Sequence, residues 1–399
     1  MPALRPVDEV VDELLGYVEV TRKTELRSLD DALNCCVASD IQSEVHVPPQ
    51  DNSAMDGYAM AFSDAELNRI YEISDRIPAG YIGNALVPGT LARIFTGASI
   101  PAGADTVVMQ ENTKQIDDGI ELTQLPRDGE NVRRQGQDIE QGATIVKGGD
   151  RLTAKTLGLV ASVGVSKLEV KTPLKVAIMS TGDELVEPGE AISPGQIYNS
   201  NRFALAGMLK TLGFDVLDLG IVEDTREATL AALERAAEQA DLILTSGGVS
   251  VGEEDHVKGA VETLGRLDVW KMAIKPGKPL AYGNVKGTPI FGLPGNPVST
   301  YVTFHVVART YLLAMQGFSK VQPDVYTVRS AFDFSGGGRR EYLRVKLHNR
   351  DGATYAERFS NQGSGIMTSV VWADALAVAE VGQQIHPGDA LTVLPLTGL

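Results

Sequence analysis

KVAIMSTGDEL (residues 175–185), FDVLDLGIVEDT (214–225) and DLILTSGGVS (241–250) decide the reading of this chain. Each is a short apolar run that stops at polar, glycine-bearing or acidic residues, the pattern of a buried strand ending in a loop. Between them lie NRFALAGMLKTLG (201–213) and REATLAALERAAEQA (226–240), whose apolar residues recur at helical spacing. GGVSVGEEDHVKGAVETLG (247–265) continues the alternation, and TPIFGLPGNPVSTYVTFHVVARTYLLAM (288–315) reads as a strand, a Pro and Gly turn and a long buried helix. Strands alternating with helices require crossovers, so residues 173–323 are expected to form a doubly wound, mostly parallel α/β sheet domain. Ligands of such sheets bind beyond the carboxyl ends of the strands, where TGDEL, EDT and SGGVS all lie.

Working outward, Val7, Val10, Val11, Leu14, Leu15 and Val18 mark one face of an opening helix. Short β-rich runs broken by PAG, VPGT and IPAGA make residues 27–141 an inserted β-rich domain. Residues 142–172 read as a turn, a helix and a strand that join residues 1–26 in a discontinuous N-terminal domain. Alternating β character in EYLRVKLHN and DALTVLPL, with Gly-rich turns, makes 324–399 a small C-terminal β domain. A chain of 399 residues has room for these parts, at roughly 150 residues per domain.

Acidic residues outnumber basic ones 52 to 36, a formal charge of −16 that opposes any surface tracking DNA or RNA. No apolar run is long enough to span a bilayer, so no membrane partner is expected. The start MPALRPVDEVVDELLGYV does not resemble a secretory signal, which makes the cytoplasm the expected compartment. Cys35 and Cys36, adjacent and alone, suggest packing rather than a disulfide framework. Five scattered histidines form no zinc spacing, so any metal is a hard cation held by oxygen ligands.

Several loops can carry chemistry. In TSGGVSVGEED, Gly247, Gly248 and Gly252 permit close backbone approach, and amides at a helix start can cradle a phosphate, although neither the GxxxxGK[ST] nor the GxGxxG pattern is present. A glycine-rich turn with Glu253, Glu254 and Asp255 at the positive helix end explains the segment equally well. In STGDEL, Thr181, Gly182, Asp183 and Glu184 can hold a divalent cation or simply close a turn. Asp224, three residues before Glu227, reads first as a helix cap. KMAIKPGKP carries Lys271, Lys275 and Lys278 with no acid between them, a local exception in an acidic chain that can bind an oxyanion or stand as a solvated loop. Asn296 and Ser299 of FGLPGNPVS can cap a helix or touch a ligand. Asp56-Gly57 of DNSAMDGYAM is a turn signal, and Thr96 and Asp138 are individually weak.

Together DNSAMDGYAM, STGDEL, TSGGVSVGEEDH, KPGKPLAYG and GLPGNPVS resemble the molybdopterin molybdenumtransferase family, which comprises bacterial MoeA and the E domains of proteins such as gephyrin. The resemblance covers essentially the whole chain and implies a four-part subunit with a molybdopterin-binding α/β domain. It implies a homodimer whose active site lies between the α/β domain of one subunit and the β-rich insertion of the other. The implied reaction is magnesium-dependent insertion of molybdate into adenylylated molybdopterin, releasing AMP, with the molybdopterin adenylyltransferase as a candidate partner. Carried over by motif, Asp56, Thr96, Asp138, Glu184, Asp224 and Asp255 form an acidic cleft, in which Asp56, Glu184, Asp224 and Asp255 hold Mg²⁺. Thr181, Gly182, Gly247, Gly248, Ser250, Pro294, Gly295 and Asn296 approach the pterin and its phosphate. Lys275 and Lys278, with Ser299, Arg339 of GRREYLR and Ser364 of NQGSG, resemble a molybdate site; Arg340 adjoins Arg339 and leaves that register open by one. A magnesium-dependent nucleotide or pyrophosphate hydrolase and a gephyrin-like non-catalytic scaffold are the alternatives.

Overall fold

A computed structural model describes residues 4–247 and 256–396. The chain divides into two compact units: residues 1–38, 149–153 and 169–399, and residues 39–148 with 154–168.

The first unit is organised by a six-stranded sheet of β1 (Lys175–Thr181), β2 (Asp215–Val222), β3 (Leu242–Ser246), β4 (Gly265–Lys271), β5 (Pro279–Val285) and β6 (Thr288–Leu293). The order is β2-β1-β3-β6-β5-β4, with β2, β1, β3 and β6 parallel and the β6-β5-β4 edge antiparallel. Helices α1 (Ser200–Thr211), α2 (Arg226–Gln239) and α3 (His256–Leu264) punctuate the strands. The unbroken apolar runs have a direct cause, because alternate residues of a strand enter different cores. Val176 and Ile178 of β1, with Leu242 and Leu244 of β3, pack with Leu205 and Leu209 of α1. Ala177, Met179 and Ile243 pack with Leu233 of α2 and Val257 and Val261 of α3. Both faces are therefore buried, and only the loops at the two strand edges are left for binding.

The opening helix, Val7–Gly16, buries Val7, Val10, Val11 and Leu14 against the first of these cores, as its spacing predicts. After β6 the chain runs through α4 (Pro297–Thr303), one π-type turn (Phe304–Ala308) and α5 (Arg309–Gln316). Gln316 is buried and joins α5 to the start of β1, accepting the Leu174 N–H at 2.8 Å and donating to the Thr172 carbonyl at 3.0 Å. The C-terminal strands β7 (Tyr326–Ser330), β8 (Arg340–Arg350), β9 (Ala353–Arg358), β10 (Ala375–Ala379) and β11 (Ala390–Pro395) close on themselves, β8-β9-β7-β11-β10 and back to β8. This small barrel leaves its members no open edge.

The second unit carries a four-stranded sheet in the order Ile73–Ile77, Leu91–Ile94, Gly57–Met60, Thr106–Met109, and a three-stranded sheet formed by Ile70–Tyr71, Gly119–Leu122 and Thr113–Ile116. Among the described residues no helix is long and apolar enough to cross a membrane.

His305 lies in the π-type turn, only 1% exposed, and burial pushes its imidazole down to about 4. An unfolded histidine takes up its proton near pH 6.5. Between those values the unfolded chain binds the proton and the folded chain does not, so stability is full above pH 6.5 and falls as pH drops toward 4. The loss amounts to roughly 3 kcal/mol. Thermal unfolding from pH 7 to pH 4 is expected to show this decline, and His305→Gln should flatten it over that interval.

Candidate active site

Two adjoining cavities open at the carboxyl edge of the parallel strands. The larger, about 540 Å³, is lined by the loop Lys275–Pro279, by Pro294–Asn296 and Ser299 after β6, by Arg339 before β8, and by Gln362–Ser364. The smaller, about 320 Å³, is lined by Thr181 and Glu184 after β1, by Tyr198–Asn201 at the start of α1, and by Ser246 at the end of β3. Gly247, Gly295 and Asn296 border both. A cavity of about 730 Å³ opens at the opposite edge of the sheet and holds none of the residues singled out from the sequence. The converging polar chemistry is at the carboxyl edge.

The larger cavity is built by the barrel as much as by the sheet. Ile274–Lys275 pairs in parallel with Arg340 and Glu341 of β8, which places a lysine loop beside a strand 65 residues further on. Arg340 donates its backbone N–H to the Ala273 carbonyl at 2.9 Å, and the Arg339 guanidinium donates to the Ile274 carbonyl at 3.1 Å. Lys275 is ion-paired with the buried carboxylate of Glu341 at 2.9 Å. Of the two neighbouring arginines, Arg339 lines the cavity, while Arg340 is bidentate to Asp8 and also pairs with Glu380. Gly277 has φ +110, and a Cβ there would come within 2.4 Å of the buried Thr303 hydroxyl, so the KPGK loop lies flat on α4 only because residue 277 is glycine.

Ser364 enters through its carbonyl, which accepts the Val298 N–H at 2.9 Å. Its loop is held by Arg344 and Gln362, which the sequence reading did not single out. Arg344 is 1% exposed, donates to the Gly363 and Tyr342 carbonyls and to the Ser369 hydroxyl, and is lowered by burial to about 10. Gln362 exchanges hydrogen bonds with the Arg344 backbone at 2.9 and 3.0 Å. Arg344 alternates with Leu343 and Val345 of the barrel core and shares the buried face of Tyr342, and an arginine in the middle of the strand EYLRVKL is the available signal.

Gly182, which lines neither cavity, has φ +143 and lies under the Glu184 carboxylate, whose oxygen would be 2.5 Å from a Cβ added at 182. Thr181 pairs with Val222 in the parallel register of β1 and β2, so the loops holding Glu184 and Asp224 leave neighbouring strand ends. Asp224 lines neither cavity, nor does it cap: Thr225 is the N-cap of α2 and accepts the Ala228 N–H at 3.3 Å. The shorter Thr225 side chain sits at the one position whose backbone is extended before the helix, which corrects the capping expectation. Asn296 occupies the N-cap position of α4 without a side-chain capping bond, leaving its amide to the cavities it borders. Lys271 ends β4 opposite Pro279 and lines neither cavity.

Gly248, Ser250, Gly252 and Asp255 lie outside the described residues. Asp56, Thr96 and Asp138 belong to the second unit. There the Asp56 carboxylate accepts both the Thr96 N–H and the Thr96 hydroxyl, each at 2.8 Å, which holds it below the usual carboxylate range. Asp138 is exposed and donates its N–H to the Val47 carbonyl at 2.9 Å. Among the described residues no three His, Cys, Asp or Glu side chains gather as a metal site.

Fold and site define a multidomain α/β protein with a lysine- and arginine-lined cavity at the carboxyl edge of a doubly wound sheet, completed by a C-terminal barrel. Family models match along the chain: "MoeA N-terminal region (domain I and II)" over residues 5–164, "Probable molybdopterin binding domain" over 177–314, and "MoeA C-terminal region (domain IV)" over 327–396. The molybdopterin molybdenumtransferase of Haemophilus influenzae is 37% identical over 98% of this chain and 99% of its own length. That of Nostoc sp. is 34% identical over 99% of this chain and 94% of its own. The molybdopterin biosynthesis moeA protein of Pyrococcus horikoshii superposes with a TM-score of 0.84 at 26% identity, covering 98% of this chain and 100% of that one. The chain belongs to the molybdopterin molybdenumtransferase family.

Gly277→Ala is expected to lower unfolding stability by about 1–3 kcal/mol, the usual cost of a strained left-handed side chain. It should also weaken molybdate binding, because the loop must lift from α4. Urea unfolding and calorimetric titration with molybdate check both, and unchanged binding would show that the loop tolerates the methyl group.

Proposed function

We propose that the protein is a molybdenumtransferase of molybdenum cofactor biosynthesis, which inserts molybdate into adenylylated molybdopterin and releases AMP. The observation that carries this reading is the convergence of Lys275, Lys278 and Arg339 on one cavity of a chain whose net charge is −16. Among the described residues these three cations meet the carboxylate of Glu341 through Lys275, an excess of positive charge suited to a dianion. Ser299 and Ser364 line the same wall, and hydroxyls and ammonium groups are the donors a tetrahedral oxyanion accepts. The cavity meets the smaller one at Gly247, Gly295 and Asn296, where glycines admit a ligand close to the backbone.

The donor set suits magnesium. Glu184 and Asp224 are hard oxygen donors following neighbouring strand ends, and Mg²⁺ asks for one or two carboxylates with water and substrate phosphate completing its shell. Bound there, magnesium would neutralise charge on a phosphoric anhydride. Glu184 and Asp224 would hold the cation, and the lysines and Arg339 would position molybdate while Mo–S bonds to the dithiolene sulfurs replace Mo–O bonds whose oxygen leaves as water, a water molecule cleaving the anhydride to release AMP. Homodimerisation, with Asp56, Thr96 and Asp138 serving the partner's reaction, and delivery of substrate by the adenylyltransferase belong to the same proposal.

Lys275→Ala is expected to lower molybdate-dependent AMP release by about 10²-fold, the usual cost of removing one charged donor from a reacting oxyanion. AMP assays with and without molybdate test this. Release independent of molybdate would instead identify a hydrolase.

A further inference from the structure

We propose that Asn199 and the amino terminus of α1 form a seat for a phosphoryl group, separate from the lysine pocket. Asn199 is 2% exposed and borders the smaller cavity. Its Oδ1 accepts the Arg202 N–H at 3.4 Å and the Ser180 hydroxyl at 3.3 Å, while its Nδ2 is buried with no partner among the described residues. Turning the amide over would aim an NH₂ at the Arg202 N–H, two donors facing one another, so the unpaired group is the donor. A buried donor is kept unpaired where a ligand or water completes it.

The helix supplies the rest. α1 has 12 residues, and Asn199 caps only the Arg202 N–H of its first turn. The N–H groups of Ser200 and Asn201 have no intrahelical partner by geometry, and both residues border the same cavity. A helix start with free amides favours an anion. The Arg202 charge is engaged elsewhere, with Asp218 at 2.8 Å and Glu187 at 2.6 Å, so the seat offers dipoles and amides rather than a cation. Molybdate therefore finds its charges in the lysine pocket, and a phosphoryl oxygen finds donors here. Asn201 donates to the Gly295 carbonyl at 2.7 Å, tying α1 to the loop that borders both cavities and setting the spacing between the two seats. Glu184 faces the same space and repels a bare anion, which favours a phosphoryl group that carries a divalent cation.

The inference rests on the transferase reading, because it assigns the phosphoanhydride end of that substrate to Asn199 and α1. The test uses the full chain titrated with inorganic pyrophosphate plus Mg²⁺ and, separately, with molybdate. Serine and aspartate both cap helices, so Asn199→Ser and Asn199→Asp retain the cap and remove the amide donor. Pyrophosphate affinity is expected to fall about tenfold in Asn199→Ser and further in Asn199→Asp, with molybdate affinity unchanged. Unchanged pyrophosphate binding in both variants, absence of pyrophosphate binding by the parent chain, or equal loss of both ligands with a lowered Tm would each overturn the seat. If the parent chain releases AMP and Asn199→Ser keeps its KM for adenylylated molybdopterin, the seat alone falls. If pyrophosphate binds through Asn199 but no AMP is released, the transferase reading alone falls.

Discussion

The parallel ladder of β1, β3 and β6 is the constraint on which the rest depends. Ser180 lies beside Ser246, and Ser246 beside Leu293, so three chain segments leave the sheet side by side. Neighbouring strands are about 4.8 Å apart, so the strand ends at Thr181, Ser246 and Leu293 lie within the span of a small ligand. Because both faces of these strands are sealed by separate cores, a ligand has only the edge to approach. Slipping one strand by one residue would exchange its two cores and dismantle that edge.

The cations come from a second constraint. A two-residue strand, Ile274–Lys275, adds to β8 of the barrel, and the arginine just before β8 folds back onto the Ile274 carbonyl. Lysine and arginine are thereby held together despite their mutual repulsion, with buried Glu341 as the local counter-charge. The acidic bulk of the chain and the basic cavity are compatible because charge acts over short distances in partly desolvated surroundings, whereas net charge describes the solvated surface.

Much of this was legible in the sequence. The apolar runs at 175–181 and 242–246 could only be doubly buried strands, and the turn residues after them marked the binding edge. The lysines of KMAIKPGKP stood out together, yet Lys271 ends an antiparallel strand while Lys275 and Lys278 border the cavity. Spacing along the chain cannot separate them, because the chain leaves β4 at Lys271 and pairs with β8 only at Ile274 and Lys275. Asp224 looked like a cap by its distance from Glu227, but the backbone enters the helix one residue later. Arg344 and Gln362 were missed because they hold backbone groups 19 and 18 residues away, whereas Asn199 carries a local helix-cap signal and only its unpaired amide depends on the fold.

Alone, the sequence determined the layered α/β architecture, the edge at which ligands bind and the residue types available there, since periodicity and turn chemistry are local properties. Only the tertiary structure decided which of those residues meet. Selecting Arg339 over Arg340 depends on β8 pairing with Ile274–Lys275, and leaving the Asn199 amide unpaired depends on Ser180 and Arg202 both claiming its oxygen. The β8 pairing and the Ser180 contact join segments apart in sequence while the Arg202 cap is local, and it is their combination that hydrogen-bond geometry, not composition, selects.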